Sequence, residues 1–257
     1  MASAYTSVFL LNDLMLTALC YLYIFAIIAI FLSLRKKGKI SKFTARKGIH
    51  LLTGLVVLLV PFFSFPFGRF WAVLIASSMT IVVFKSEKNS KIKVLGELYQ
   101  AIGEEAEEKL SRSYLQGPFH YSLAITLLIS IFTFLGLWKD QIYLPISCIL
   151  IMVVSDSLAS VAGKKYGKRK INLSWTGTTR TLEGSLMFLV TAFFLAFFSF
   201  FVFGFLYKTI SLNAVVVYAI ATAVVSTLIE LASPSTWDDL TVPIISTMVM
   251  WVILFFY

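Results

Sequence analysis

Residues 142–162 read IYLPISCILIMVVSDSLASVA and contain a single charged residue, Asp156. A helix needs an apolar run of about 20 residues to cross the hydrocarbon core of a bilayer. An ionisable side chain inside such a run is costly in lipid, and it usually has a functional role. The stretch therefore predicts a transmembrane helix with a functional acid inside it.

The rest of the chain has the composition of a membrane protein. Of its 257 residues 59% are hydrophobic and 14% are charged, and the mean hydropathy is +0.88, whereas soluble domains average about 25% charged residues. Apolar runs predict spans at about residues 14–34, 51–65, 70–84, 121–138, 142–162, 185–206, 212–231 and 240–257. We expect an all-α polytopic membrane protein of about eight transmembrane helices, with residues 1–257 forming a single transmembrane domain.

The positive charge is distributed by loop. Of 22 Lys and Arg residues, 19 lie in three alternate loops, at 35–47, 85–112 and 164–180, while Arg69, Lys139 and Lys208 lie in the opposite loops. Because cytoplasmic loops are rich in Lys and Arg, the three basic loops are predicted to be cytoplasmic and both termini extracytoplasmic. The net charge of +9 is thus explained by topology, and we expect membrane lipids and no nucleic acid as partners.

The cytoplasmic loop 85–120 contains a helical pattern over residues 94–115. Leu95, Leu98, Ile102, Ala106 and Leu110 recur at helical spacing, which predicts an amphipathic helix resting on the bilayer or on the bundle. The acidic cluster at 104–108 is interpreted mainly as a helix face exposed to solvent. The alternative is that it binds a metal or a partner.

A small and polar helix face leads from Asp156 into a basic segment. Asp156, Ser160, Gly163 and Gly167 fall on one face, and residues 163–184 combine glycines with Lys, Arg and Thr. Glycine lets backbone amides approach an anion, and Lys and Arg supply the opposite charge. Segment 163–184 is therefore predicted to be a cytoplasmic nucleotide-binding loop. The alternative is small residues for helix packing followed by a loop that is basic for topological reasons.

Further acids are predicted at the cytoplasmic ends of three other spans, namely Glu183, Glu230, and the pair Asp238 and Asp239. Helix capping alone could account for the Asp pair. It does not account for the convergence of these acids with Asp156 on one side of the membrane. Hard oxygen ligands opposite a basic glycine-containing segment are what a magnesium–nucleotide complex requires.

One helix face at the start of the second span carries Arg46, Lys47 and His50. The i, i+3 and i, i+4 spacing places His50 beside both cations. Basic residues reaching the interface and a core histidine are the structural alternatives to a role in a site.

Together these motifs resemble the CTP-dependent polyprenol kinase family, which includes dolichol kinase, phytol kinase and the CTP-dependent diacylglycerol kinase. The resemblance runs from about Thr44 to the C-terminus, over the stretches Arg46–His50, Gly117–Pro118, Asp156–Gly163, Gly167–Lys168, Thr181–Ser185 and Asp238–Pro243. Two positions depart from the family pattern. Arg180 stands where Lys is typical, and Asp239 stands where Asn is usual.

The resemblance implies transfer of the γ-phosphate of CTP to the hydroxyl of a polyprenol or related lipid alcohol at the cytoplasmic leaflet, with Mg²⁺ as cofactor. Asp156 and Glu183 would bind the metal, supported by Asp238 and Asp239. His50 or a carboxylate would accept the hydroxyl proton. The nucleotide site would comprise Arg46, Lys47, Ser160, Gly163, Lys164, Gly167, Lys168, Arg180 and Thr181.

Two other functions remain as alternatives. Phosphatidate cytidylyltransferase, or its archaeal relative, shares an Asp-rich span followed by a Gly, Lys and Glu-Gly pattern. Its C-terminal His-Gly-Gly element is absent here, where the only histidines are His50 and His120. A secondary transporter would place ionisable residues near the midplane within inverted repeats, whereas here the charges gather at one side and no repeat is visible.

Overall fold

The fold is a set of helices in two units with one short hairpin. A computed structural model describes residues 7–64, 67–87, 90–102, 115–207, 209–234 and 237–255. By backbone contacts the chain divides into a first unit, Met1–Thr133, and a second unit, Phe134–Tyr257. The described helices of the first unit are α1 (Ser7–Lys36), α2 (Lys42–Phe62, whose end from Leu55 is 3₁₀-helical), α3 (Arg69–Lys85), α4 (Lys93–Ile102) and α5 (Gln116–Phe134).

In the second unit, the described elements follow one another with short connections. They are α6 (Trp138–Gln141), α7 (Tyr143–Tyr166), the strands β1 (Lys170–Asn172) and β2 (Thr179–Thr181), α8 (Leu182–Phe205), α9 (Leu212–Ala232) and α10 (Asp238–Phe255). The strands pair antiparallel, with Ile171 opposite Arg180.

The predicted helical membrane fold is confirmed in its main feature. Six helices of the described chain, α1, α2, α5, α7, α8 and α9, are long and apolar enough to cross a membrane. Large apolar side chains face outward, such as Val8 with 72% and Phe194 with 63% of the residue exposed, as expected of a surface in contact with lipid. Helices α3 and α10 lie at the third and eighth predicted spans. The count of eight spans and the outward termini stay predictions.

In the first unit, α4 packs on α1 and α2. Leu98 and Tyr99 of α4 are buried against Ile49 and Leu115, so the apolar stripe predicted from Leu95 onward does face the protein in part. Residues 103–114, which include the acidic cluster at 104–108, lie outside the described residues.

Asp13 is a fully buried carboxylate in α1 that the sequence analysis did not single out. Its Oδ1 accepts a hydrogen bond of 2.8 Å from the backbone N–H of Ser64. A buried carboxylate requires hydrogen-bond donors, and here the donor comes from the turn between α2 and α3. The contact therefore holds that turn against α1.

Helix α7 is the core of the second unit. Leu144, Ile146 and Ile149 are fully buried, and α7 packs against α8 and α10. Buried hydroxyls add hydrogen bonds between helices, since Ser199 Oγ donates to the Tyr143 carbonyl oxygen at 3.0 Å. Small polar side chains of this kind are common in membrane helix interfaces.

The backbones of α7 and α8 approach closely at two glycines. A Cβ placed on Gly184 would lie 3.1 Å from the Ala159 carbonyl oxygen and 3.5 Å from Gly163 Cα. Those distances leave no room for a branched side chain. The crossing therefore requires small residues, and it fixes the start of α8 beside the end of α7.

Replacement of Gly184 by valine should destabilise the protein, because the branched side chain collides with the Ala159 carbonyl group. We expect a loss of about 1–3 kcal/mol, the usual cost of overpacking, seen as a lower Tm of the detergent-solubilised protein. Gly96→Val is the matched control, since a Cβ at Gly96 meets no atom within 4 Å. Equal Tm changes in the two variants would contradict the close crossing.

Candidate active site

Asp156 follows a local irregularity in α7. The turn Ile151–Ser155 is π-helical, and regular α-helix resumes at Asp156. A π-helical turn shifts the phase of the helix and is frequent at functional sites. Asp156 is half-buried, and it lies ten residues before the end of α7 at Tyr166.

A second carboxylate lies close to Asp156. Asp239, in the first turn of α10, is only 7% exposed, and one of its oxygens lies within 4.8 Å of an oxygen of Asp156. Oxygen ligands bind divalent cations at about 2.0–2.6 Å, so two ligands of one ion can be about 4–5 Å apart. The pair therefore fits a divalent cation such as Mg²⁺, which would also offset the repulsion between two neighbouring negative charges.

Glu183 binds the loop between α7 and β1. Its Oε2 accepts a 3.1 Å hydrogen bond from the backbone N–H of Lys168 and a 3.3 Å bond from that of Arg169. These backbone amides therefore donate to a carboxylate of the same chain. From the sequence we had expected backbone amides of this segment to bind an anion such as a phosphate. The assignment of Glu183 to a metal stays a prediction, and its observed contact is with this loop.

The glycines of the basic segment allow close packing around Thr181. Thr181 caps α8, its Oγ1 accepting from the backbone N–H of Gly184 at 3.2 Å. A Cβ on Gly167 would lie 2.6 Å from Thr181 Cγ2, and one on Gly163 would lie 2.9 Å from Thr181 Oγ1. Here the packing role weighed for these glycines is observed, while their place in a nucleotide site stays a prediction.

The cations predicted to bind phosphate differ in exposure. Lys164 and Lys168 are exposed, and Ser160 on the same helix face as Asp156 is half-buried. An exposed amine is accessible to the phosphates of a nucleotide in solution. The roles assigned to these three residues in a nucleotide site stay predictions.

Arg180 is in a different position from that expected of a phosphate ligand. Its side chain is 12% exposed. Nε donates to Oε1 of Glu230, one Nη donates to Thr178 Oγ1 at 2.9 Å and the other to Asp238 Oδ2 at 3.4 Å. Arg180 thereby connects β2 to the end of α9 and the start of α10.

Two contacts to the end of α9 were not foreseen. The partner of Glu230 was not predictable from the sequence, because its pairing with Arg180 spans a separation of 50 residues. Trp175 was also missed, and its indole N–H donates to the Ala232 carbonyl oxygen at 3.2 Å. The sequence signal for Glu230 was only its position as an acid near the end of a span.

Three predicted site residues, Arg46, Lys47 and His50, lie in α2 of the first unit and are half-buried. The His50 ring centroid is 4.2 Å from that of Tyr121, whose hydroxyl donates to the His50 carbonyl oxygen at 3.0 Å. These contacts hold α2 against α5. The roles assigned to these three residues stay predictions.

Comparison with known proteins finds relatives that share one type of activity in their names. Phytol kinase of Synechocystis sp. is 32% identical over 213 residues, which cover 80% of this chain and 77% of that protein. Dolichol kinase of Saccharomyces cerevisiae is 34% identical over 158 residues, 62% of this chain. Phytol kinase 1 of Arabidopsis thaliana is 26% identical over 187 residues, 69% of this chain and 57% of that protein.

The relatives differ in length. The chain spans 28% of the yeast dolichol kinase, although it spans most of the cyanobacterial phytol kinase. No family model matches the chain. No solved structure matches it either.

Proposed function

The chain belongs to the polyprenol kinase family of lipid alcohol kinases, which includes dolichol and phytol kinases, and we propose that it transfers the γ-phosphate of CTP to the hydroxyl of a polyprenol or related lipid alcohol. The hydroxyl oxygen would bond to the γ-phosphorus while the bond from that phosphorus to the bridging oxygen breaks. CDP and a lipid monophosphate would be the products. We place the reaction at the cytoplasmic leaflet because the basic segment 163–184 is predicted to face the cytoplasm.

The observation that best supports this proposal is the pair of carboxylates, Asp156 and Asp239, with oxygens within 4.8 Å of each other. We propose that they hold Mg²⁺, with Asp238 and Glu183 as further candidate ligands. The ion would neutralise charge on the phosphates during transfer. Placing two acids in an apolar helix bundle is energetically unfavourable, and such residues usually have a functional role.

The remaining roles fall to the basic segment and to a proton acceptor. Lys164 and Lys168, both exposed, would bind the phosphates, since fixed cations stabilise the charge of a transferring phosphoryl group. The lipid alcohol would enter from the bilayer and CTP from solution. His50 or one carboxylate would accept the hydroxyl proton.

A kinase is favoured over the other two functions considered. The reported relatives are all named kinases, and the histidine-containing element of cytidylyltransferases is missing from the sequence. Glu183, Glu230 and the pair Asp238 and Asp239 lie at helix ends in the second unit, whereas transporters bind their substrates near the bilayer midplane.

Incubation of purified protein with γ-labelled CTP and a panel of phytol, polyprenol and diacylglycerol tests the proposed activity. We expect label in a lipid monophosphate, release of CDP, dependence on Mg²⁺ and a preference for CTP over ATP. A cytidylyltransferase would instead form a CDP-lipid and release labelled pyrophosphate. Label found only in pyrophosphate, or no turnover with any alcohol, would overturn the proposal.

Asp156→Asn should abolish turnover, because the substitution keeps the shape of the side chain and removes the charge that binds the metal. Loss of one preorganised electrostatic group commonly costs about 10²–10³-fold in rate. Without Mg²⁺ the variant should be at least as thermostable as wild type, since repulsion with Asp239 is removed. Asp140→Asn, at an exposed acid of the same unit, is the control and should keep full activity. Near-normal phosphorylation by Asp156→Asn would make Asp156 a structural residue.

A further inference from the structure

We infer that Glu230 is a positioning residue for the proposed kinase site, acting through Arg180 on the two acids that begin α10. The inference rests on the proposed function and assigns a role to a residue that the sequence pattern left without one. It also gives Arg180 a task other than binding phosphate.

The geometry of Arg180 is the first support. Three of its five N–H groups are directed at side chains of the same chain, namely Glu230, Thr178 and Asp238. The side chains of Arg180 and Glu230 are each 12% exposed, and the Asp238 side chain is 25% exposed. A charge that is buried and paired with two carboxylates is neutralised within the protein. It is a weaker attraction for a nucleotide than the exposed Lys164 and Lys168.

Glu230 in turn depends on Arg180. Among the described residues, its second oxygen, Oε2, is buried and has no hydrogen-bond partner. A buried carboxylate whose other oxygen is unsatisfied needs a cation in contact to remain charged. Arg180 supplies that cation, so the two side chains form one unit that joins β2 to α9.

The same unit reaches the proposed cation site through Asp238. Oδ2 of Asp238 faces Arg180, whereas Oδ1 accepts a 3.1 Å hydrogen bond from the backbone N–H of Asp239. Asp239 is the residue whose carboxylate lies beside that of Asp156. Glu230, Arg180 and Asp238 therefore form a continuous series of contacts that ends at the carboxylate pair. Residues that orient metal ligands typically change metal affinity or activity about 10–100-fold when they are replaced.

A double-mutant cycle of Glu230→Gln and Arg180→Gln tests this role. The readouts are the Mg²⁺ concentration for half-maximal activity, the KM for CTP, and the rise in Tm caused by Mg²⁺ alone. We expect each single variant to raise the half-saturating Mg²⁺ concentration about 10–100-fold, with KM for CTP changed less than about twofold. The double variant should be no worse than the more affected single variant, because residues acting through one contact are non-additive.

Two further variants separate positioning from folding. Glu97→Gln breaks the Lys36–Glu97 pair, in which the Lys36 side chain is 71% exposed, and it should leave all three readouts unchanged. The Arg180→Met, Glu230→Met pair should fold, because apolar residues often replace a buried ion pair without loss of stability. It should nevertheless show the weakened Mg²⁺ response.

The outcomes that overturn the inference are distinct. Arg180 would be a phosphate ligand if the effects of the two single substitutions multiplied in the double variant and only Arg180→Gln raised the KM for CTP strongly. A wild-type Mg²⁺ response in the double-Met variant would make the pair purely structural, and no Tm rise with Mg²⁺ in wild type would remove the cation site. If wild type fails to phosphorylate any alcohol, the proposed function fails, while the Tm cycle with Mg²⁺ still decides the role of Glu230.

Discussion

The close approach of α7 and α8 at Gly163 and Gly184 is the constraint on which the proposed site depends. Because neither residue has a side chain, the backbone of α8 begins against the last turns of α7. The 15 residues between the two helices must then fold back within a short distance, and they do so as the β1–β2 hairpin. Thr181 caps α8 at the crossing, and Glu183 in the first turn of α8 binds the loop amides of Lys168 and Arg169.

The proposed site also requires that the charges of its largely buried acids be balanced. Asp156, Glu230, Asp238 and Asp239 come from α7, α9 and α10, and one arginine bridges two of them. Four acids near one buried guanidinium leave an excess of negative charge, which favours binding of a divalent cation. The exposed Lys164 and Lys168 lie in the chain before the hairpin, where they could bind the phosphates of a nucleotide. Chemistry with a charged nucleotide and an apolar alcohol requires such a boundary between a polar loop and a lipid-facing bundle.

Much of this architecture could be predicted from the sequence, because apolar runs and charge distribution act over short ranges. Helices lie at the positions of all eight apolar runs. Asp156 was identified because it is a charged residue within a predicted transmembrane span. The π-helical turn before Asp156 has no sequence pattern of its own, since its residues are as apolar as those of the turns before it. The partners of Arg180 and Glu183 were also not predictable, because they are set by how the helices pack and not by spacing along the chain. Arg180 and Lys168 looked equivalent as cations, yet one is buried and paired and the other is exposed.

Crystallography of the protein with Mn²⁺ and a non-hydrolysable CTP analogue, with anomalous scattering to locate the metal, shows directly whether Asp156 and Asp239 hold the ion. We expect Mn²⁺ bound to carboxylate oxygens of Asp156 and Asp239 at about 2.0–2.6 Å, with the analogue's phosphates at the metal and at Lys164 or Lys168. Metal bound elsewhere, or a nucleotide held without either carboxylate, would contradict it.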